Sequence, residues 1–397
     1  MTILIHVRLN VASSTKALLF RQFMIPKRHL SSIRSQQSLR DEMTTTTRLL
    51  ADSLTISDPE TPEIRIQRRM ALARAITLVE STAPNHKTQA SLLLTFILEQ
   101  QHQQRQQQHD CFRLGIAGPP GAGKSTFIEA LGKYVLHDLP NTHHSPKLFS
   151  PSKLAVLCID PSSSITGGSI LGDKTRMTEL SRHDRAFVRP SANGGTFGGL
   201  SAYTHDVVSL CSAASYDCCI VETVGLGQSE VEVVHSVDML LLIIPPGGGD
   251  QLQGVKKGIV EVADIIMINK ADGNLMPAAR NTAADYRSAM TFMRHKHDKW
   301  LTPPVVLASS RTGEGISQVW HEISQYRSIM MEGGDLAEKR RQQSRYWMWK
   351  NLLNLVSERT RTDPELRRTA ETMEAALGKG RITPRAAASE LLNCLTQ

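Results

Sequence analysis

The chain of 397 residues has no apolar run long enough to cross a membrane, no C-x-x-C pair and no acidic residue before Asp41. Each absence excludes something. A membrane helix needs about 20 consecutive apolar residues, and the best candidate, Met239–Ile244, stops at Pro245-Pro246. A soluble mature protein with no membrane partner is therefore expected. The six cysteines, Cys111, Cys158, Cys211, Cys218, Cys219 and Cys394, lack the paired spacing and neighbouring histidines of a zinc site or disulfide framework. They read as buried thiols in a reducing compartment.

The acid-free start explains most of the net charge. Residues 1–40 carry Arg8, Lys16, Arg21, Lys27, Arg28, Arg34 and Arg40, and removing them takes the chain from +8 to near +1. A basic charge spread over the whole chain would suggest nucleic acid or anionic membrane, but a terminal one does not, and no nucleic-acid partner is expected. With its serines and scattered apolar residues (MTILIHVRLNVASSTKALLFRQF), segment 1–40 has the composition of a mitochondrial transit peptide. A disordered basic tail is the other reading. The transit reading places the mature protein in the mitochondrial matrix.

Residues 41–110 read as an N-terminal helical region. ALARAITLVES (71–81) and SLLLTFILE (91–99) repeat apolar residues at helical spacing across a Pro84-Asn85 break. The polar stretch EQQHQQRQQQHD (99–110) reads as a solvated helix end or a linker. From 111 to 330 short apolar runs (FRLGIAG, LAVLCID, CCIVE, MLLLII, IIMIN, VVLAS) alternate with Gly-rich turns and helical patterns, which predicts an α/β domain on a mostly parallel sheet. Residues 137–152 read as a surface loop. Residues 331–397 are charged and helical. Their apolar set, Trp347, Trp349, Leu352, Leu353 and Val356, needs covering by the domain itself or by a second subunit.

GPPGAGKS (118–125) follows the first apolar run and precedes a helical pattern, the context of a phosphate-binding P-loop. Gly118, Gly121, Ala122 and Gly123 let backbone N–H groups curl around a phosphate. Lys124 reaches its outer oxygens, Ser125 offers a hydroxyl to Mg²⁺, and Thr126 opens the helix. INKAD (268–272) closes another apolar run and matches N-K-x-D, the guanine-recognition signature. Asp272 can accept from both N–H donors on the guanine edge, Asn269 braces the loop, and the Lys270 stem packs on the base. Read without the P-loop, the same residues are an ordinary Asn/Asp turn. Ser309 and Ser310 in ASSRTGEG (308–315) stand where a backbone amide contacts the guanine oxygen. Two further polar stretches, 159–177 and 246–258, leave apolar runs at the strand ends where ligands of parallel sheets bind; flexible loops with no role are the bland alternative.

Taken in order, GPPGAGKST, DPSSSITGGSILGDKTRM, ETVGLGQSE, PGGGDQLQGVKKGIVEVAD and NKADG closely resemble the methylmalonyl-CoA mutase-associated GTPases over about residues 65–320. The resemblance implies a P-loop GTPase fold with a C-terminal helical dimerisation arm, a homodimer, and GTP/GDP with Mg²⁺ as ligands. It implies a first switch containing Asp160 and Asp173, with Lys174, Thr175 and Arg176 beside them. A second would span Glu222–Glu230, with Gly225 at the γ-phosphate, and a third would span Gly247–Lys257. The catalytic set it suggests is Lys124, Asp160, Asp173, Glu222, Gln228 and Lys256, with Ser125, Asp160, Asp173 and Glu222 as the metal set. Gln228, Arg176 and Lys256 are alternatives for acting on the attacking water or the developing charge. Glu222 stands where many G proteins carry Asp and fits the family's E-T-V-G. The implied role is a slow, partner-stimulated GTPase chaperone that gates adenosylcobalamin loading onto methylmalonyl-CoA mutase and protects it, with the adenosyltransferase an indirect partner. A P-loop kinase or ATPase, after an amino-acid-transport label the family has carried, would prefer ATP. A metal-insertion GTPase would need Cys/His clusters near the switches.

Overall fold

The computed structural model describes residues 35–56, 60–103, 111–141, 148–160, 177–192, 203–223, 232–247, 257–291, 299–300 and 302–395. Four helices come first: α1 (Gln36–Glu42), α2 (Thr45–Leu54), α3 (Pro62–Glu80) and α4 (Pro84–Gln103). Their starts follow from local chemistry. The side chains of Ser35, Thr44 and Thr61 accept from backbone N–H groups of the first turns of α1, α2 and α3, satisfying donors that a helix start leaves unpaired. Pro62 sits at the first position of α3, where its missing N–H does no harm.

The α/β part runs β1 (Phe112–Ala117), α5 (Lys124–Lys133), β2 (Leu154–Asp160), α6 (Thr178–Arg182), β3 (Ala186–Ala192), α7 (Thr204–Ala213), β4 (Cys218–Glu222), β5 (Met239–Ile244), α8 (Lys257–Val262), β6 (Ile265–Ile268), α9 (Met276–Thr291), β7 (Val305–Leu307) and α10 (Ile316–Glu332). The seven strands form one sheet in the order β3-β2-β4-β1-β5-β6-β7. Every pairing among them is parallel, so the sheet expected to be mostly parallel is wholly so among the described residues. Strands buried on both faces are apolar throughout, which is why CCIVE and MLLLII show no polar alternation. β3 was not foreseen, because AFVRPSA carries Arg189 and Pro190. It lies at the edge of the sheet, where a residue without an N–H is tolerated.

One face of the sheet packs Leu114, Ile116, Ile220, Leu241 and Met267 against α5, α6 and α10, with Trp320 and Tyr326 as the large side chains. The other packs Ala117, Val221, Leu242 and Ile268 against α7, α8, α9 and the N-terminal helices, so that Leu72, Ile76, Leu93 and Phe96 share one core with the sheet. The loop expected over 137–152 begins later than the sequence suggested. A π turn (Tyr134–Asp138) and a short 3₁₀ turn (Leu139–Asn141) extend α5, and Leu139 is buried.

Three helices close the chain: α11 (Asp335–Thr362), α12 (Pro364–Gly378) and α13 (Pro384–Leu395). They divide the expected apolar set. Trp347 is buried in the core and donates its indole N–H to His235 O at 2.7 Å, whereas Trp349, Leu352 and Leu353 are exposed. Five of the six cysteines, Cys111, Cys158, Cys211, Cys218 and Cys219, are buried and in no disulfide, as the sequence suggested, whereas Cys394 near the end of α13 is only half-buried. No helix among the described residues is long and apolar enough to cross a membrane.

Candidate nucleotide site

The P-loop bridges the end of β1 and the start of α5 at the carboxyl edge of the sheet. Backbone geometry requires its glycines. Gly118 has φ +152°, and a Cβ there would lie 2.2 Å from Ile243 O; Gly123 has φ +90°, and a Cβ would lie 2.5 Å from Asn269 Nδ2. Gly121 has φ +77° with open space around it, which suits a backbone that approaches a ligand closely. Gly123 caps α5 without a side chain, so the helix presents its first N–H groups, the ordinary anion site of a helix start. Lys124 is buried and its Nζ donates to Gly118 O at 2.8 Å, folding the side chain over the loop. Thr126 is exposed at the first turn of α5.

Ser125 and Glu222 meet at the mouth of this loop. Pairing of β1 with β4 sets Ile116 beside Glu222, and the Ser125 hydroxyl donates to Glu222 Oε1 at 2.9 Å. Both side chains are buried, at 9% and 7% exposure. Thr223 fixes the strand end by donating its N–H to Ile116 O at 3.0 Å. Asp160 closes β2, opposite Ala192 of β3 in register. Asp173, Gly225, Gln228 and Lys256, like Arg176, lie outside the described residues.

Asn269 ties the base loop to the phosphate loop. Its Nδ2 donates to Ala122 O at 2.8 Å, while its Oδ1 accepts from the Ser310 N–H at 3.1 Å and the Ser310 hydroxyl at 2.8 Å. The bracing role expected of Asn269 is thus a three-way junction of residues 122, 269 and 310. The bond from the Ser310 hydroxyl is one that alanine could not make. Asp272 accepts from the Ser309 hydroxyl, which also accepts from the Thr312 N–H at 3.1 Å. This orients the carboxylate. Lys270 is exposed with φ +56°, an uncommon left-handed conformation for a residue with a Cβ. Gly315 has φ +79°, and a Cβ there would lie 2.3 Å from Leu307 O, so the turn that carries Ser309 and Ser310 into α10 requires glycine.

Two contacts had no signal in the motifs. Glu129 on α5 accepts from the N–H groups of Glu179 (2.7 Å) and Leu180 (3.2 Å), holding the start of α6 just after stretch 161–176. Thr282 on α9 exchanges hydrogen bonds with the backbone of Gly247, where stretch 247–257 begins. In each case the partners are 35 or more residues apart, so only the packed helices bring them together.

A family model described as "Methylmalonyl Co-A mutase-associated GTPase MeaB" matches residues 72–365. The chain is 43% identical over 328 residues to "Methylmalonic aciduria type A homolog, mitochondrial" of Mus musculus, covering 82% of this chain and 76% of that protein. It is 42% identical over 287 residues to "GTPase ArgK" of Escherichia coli, covering 72% and 81%. A crystal structure described as an LAO/AO transport system kinase superposes with a TM-score of 0.62 at 30% identity, covering 92% of this chain and all of that one.

Proposed function

Because the chain belongs to the methylmalonyl-CoA mutase-associated GTPase family, MeaB, we propose that this P-loop GTPase is a chaperone that gates adenosylcobalamin loading onto methylmalonyl-CoA mutase and protects that enzyme. The observation that carries the mutase-directed role is the family match. It spans residues 72–365 and so includes both polar stretches that leave strand ends. No D-x-H-x-x-G cobalamin motif occurs in the sequence, and a protein that gates another's cofactor need not bind it tightly itself.

In this reading the P-loop N–H groups and Lys124 bind the phosphates, and Asp272, oriented by Ser309, accepts from the guanine edge. Asn269 and Ser310 lock the two loops at a fixed separation, with the Lys270 stem against the base. The Ser125 hydroxyl and the Glu222 carboxylate are hard oxygen donors that suit Mg²⁺, and Asp160 and Asp173 complete the set. Bound there, the ion would neutralise charge on the β- and γ-phosphates. Water attacks the γ-phosphorus and leaves GDP and phosphate. Gly225 would offer its N–H to the γ-phosphate, and Gln228, Arg176 and Lys256 are the alternatives for orienting that water or meeting the developing charge. Intrinsic turnover is slow and the mutase accelerates it. The exposed apolar face of α11 (Met348, Trp349, Leu352, Leu353, Leu355) supports a homodimer formed through the C-terminal arm.

The protein works in the mitochondrial matrix behind a cleaved leader. A leader ending before Ser35 would keep α1 in the fold, where Leu39 is buried and Arg40 pairs with Asp52 at 2.7 Å. The loading role is tested by mixing apo-mutase, adenosylcobalamin and this protein with either GTP or a non-hydrolysable analogue. Loading that proceeds with GTP and stalls with the analogue is the expected result. Equal loading with and without the protein would remove the chaperone role.

A further inference from the structure

The face of α11 opposite its exposed apolar residues is almost entirely spent on one short segment, Glu232–Asp238. Arg340 forks onto the Asp238 carboxylate (Nε to Oδ1 2.9 Å, Nη2 to Oδ2 2.6 Å) and also donates to Cys111 O. Gln343, 2% exposed, donates to both Val234 O (2.8 Å) and Val237 O (2.7 Å). Tyr346 stacks on His235 with ring centroids 3.8 Å apart and donates its hydroxyl to Glu232 Oε1 at 2.9 Å. Trp347 donates to His235 O, and Lys350 forms an ion pair with Glu232. The carbonyls of Val234, His235 and Val237 are therefore satisfied by one helix, and the carboxylates at the segment's two ends, Glu232 and Asp238, are each paired to it.

That segment occupies a particular place in the chain. Thr223, pinned to β1, and Glu232, pinned to α11, bracket residues 224–231, which hold Gly225 and Gln228. Among the described residues, Glu232 is therefore the point at which the chain leaving the expected second switch is first held by α11. Met348, Trp349, Leu352 and Leu353 lie within a turn of Trp347 and Lys350 but on the solvent side, at 46–69% exposure. A helix with one face locked to a loop and the other face apolar and open is suited to carry a change from the first to the second.

We propose that Glu232 is a positioning residue whose clamp by Tyr346 and Lys350 couples the nucleotide's γ-phosphate to the placement of α11. The inference rests on the second-switch reading of Glu222–Glu230. Because coupling between two sites is reciprocal, loosening the clamp must change how strongly the protein distinguishes GTP from GDP. A contact that only holds the fold together would lower the melting temperature and leave that distinction alone.

The experiment measures dissociation constants for GDP and for a non-hydrolysable GTP analogue in the full chain and in Glu232→Gln, Lys350→Met and Tyr346→Phe, with Lys350→Arg as the conservative variant. A change of about fivefold or more in the GTP-to-GDP affinity ratio is expected for Glu232→Gln and Lys350→Met. A smaller change in the same sense is expected for Tyr346→Phe, and a ratio close to that of the parent for Lys350→Arg. A ratio unchanged within twofold in every variant that still binds GDP overturns the coupling. Tyr346→Phe removes a single hydroxyl, so it decides the question if the charge variants do not fold. Loss of binding to both nucleotides by the parent chain would instead defeat the switch reading beneath it.

Discussion

Ser125 donates its hydroxyl to Glu222 at 2.9 Å across 97 residues of sequence, joining the phosphate loop to the end of β4. The partner is glutamate rather than the aspartate common at this place in G proteins, and the register of β1 against β4 lets the longer carboxylate reach the serine. If Glu222 holds Mg²⁺ through water, Glu222→Ala should lower GTP hydrolysis by about 10–100-fold, the usual effect of removing an outer partner of a metal. GDP affinity without Mg²⁺ should change little. Titrating Mg²⁺ against hydrolysis checks this: the variant's half-saturating concentration should rise.

In the proposed reading, base choice depends on Asp272. Replacing it with Asn exchanges an acceptor for a donor and removes hydrogen bonds to a charged group that contribute about 1.5–3 kcal/mol each. Guanine nucleotide affinity should fall roughly 10²-fold, and xanthine nucleotides, which present an acceptor at that edge, should gain. Ser310→Ala should act more gently, by about 1 kcal/mol, because the backbone N–H of residue 310 still reaches Asn269. Competition binding with GDP, XDP and ADP separates these outcomes.

Acid should destabilise the fold through His205 in the first turn of α7. Burial, with the charges of Arg113 and Arg340, lowers its pKa from the ordinary 6.5 to about 4. The folded form is thus reluctant to take a proton that the unfolded chain accepts. This contribution is fully present above pH 6.5 and is lost as the pH falls from 6.5 towards 4. Chemical denaturation between those pH values should show the decline, and His205→Gln should flatten it.

The motif-level chemistry was legible because its groups are local in sequence. GPPGAGKS and NKAD each hold their polar groups within a few residues, and the structure puts Lys124, Ser125, Asn269 and Asp272 at one edge of the sheet. What stayed hidden depends on long-range packing. Periodicity shows that Trp347 and Trp349 share an apolar helix but not that the first enters the core while the second stays in water. Arg340 and Asp238 are 102 residues apart, and neither looks unusual until α11 lies across the sheet. β3 was missed because an edge strand can hold Arg189 and Pro190, which a central strand would reject.

That packing also changes how the proposed dimer should be tested. Removing residues 335–397 would take away Leu336, Arg340 and Trp347, which belong to the domain's own core and its ion pairs, so loss of dimer would be confounded with loss of fold. Leu352→Glu with Leu353→Glu alters only side chains that are exposed in the monomer. Light scattering should give half the parental mass with an unchanged melting temperature. Retention of the dimer would move the interface elsewhere.

The most direct test is steady-state GTP hydrolysis by residues 35–397, alone and with methylmalonyl-CoA mutase, with ATP as the control nucleotide. A slow GTP-specific rate that the mutase raises many-fold is the predicted result. Hydrolysis of ATP at a comparable rate, or a GTP rate indifferent to the mutase, would contradict the proposed role of a partner-stimulated GTPase.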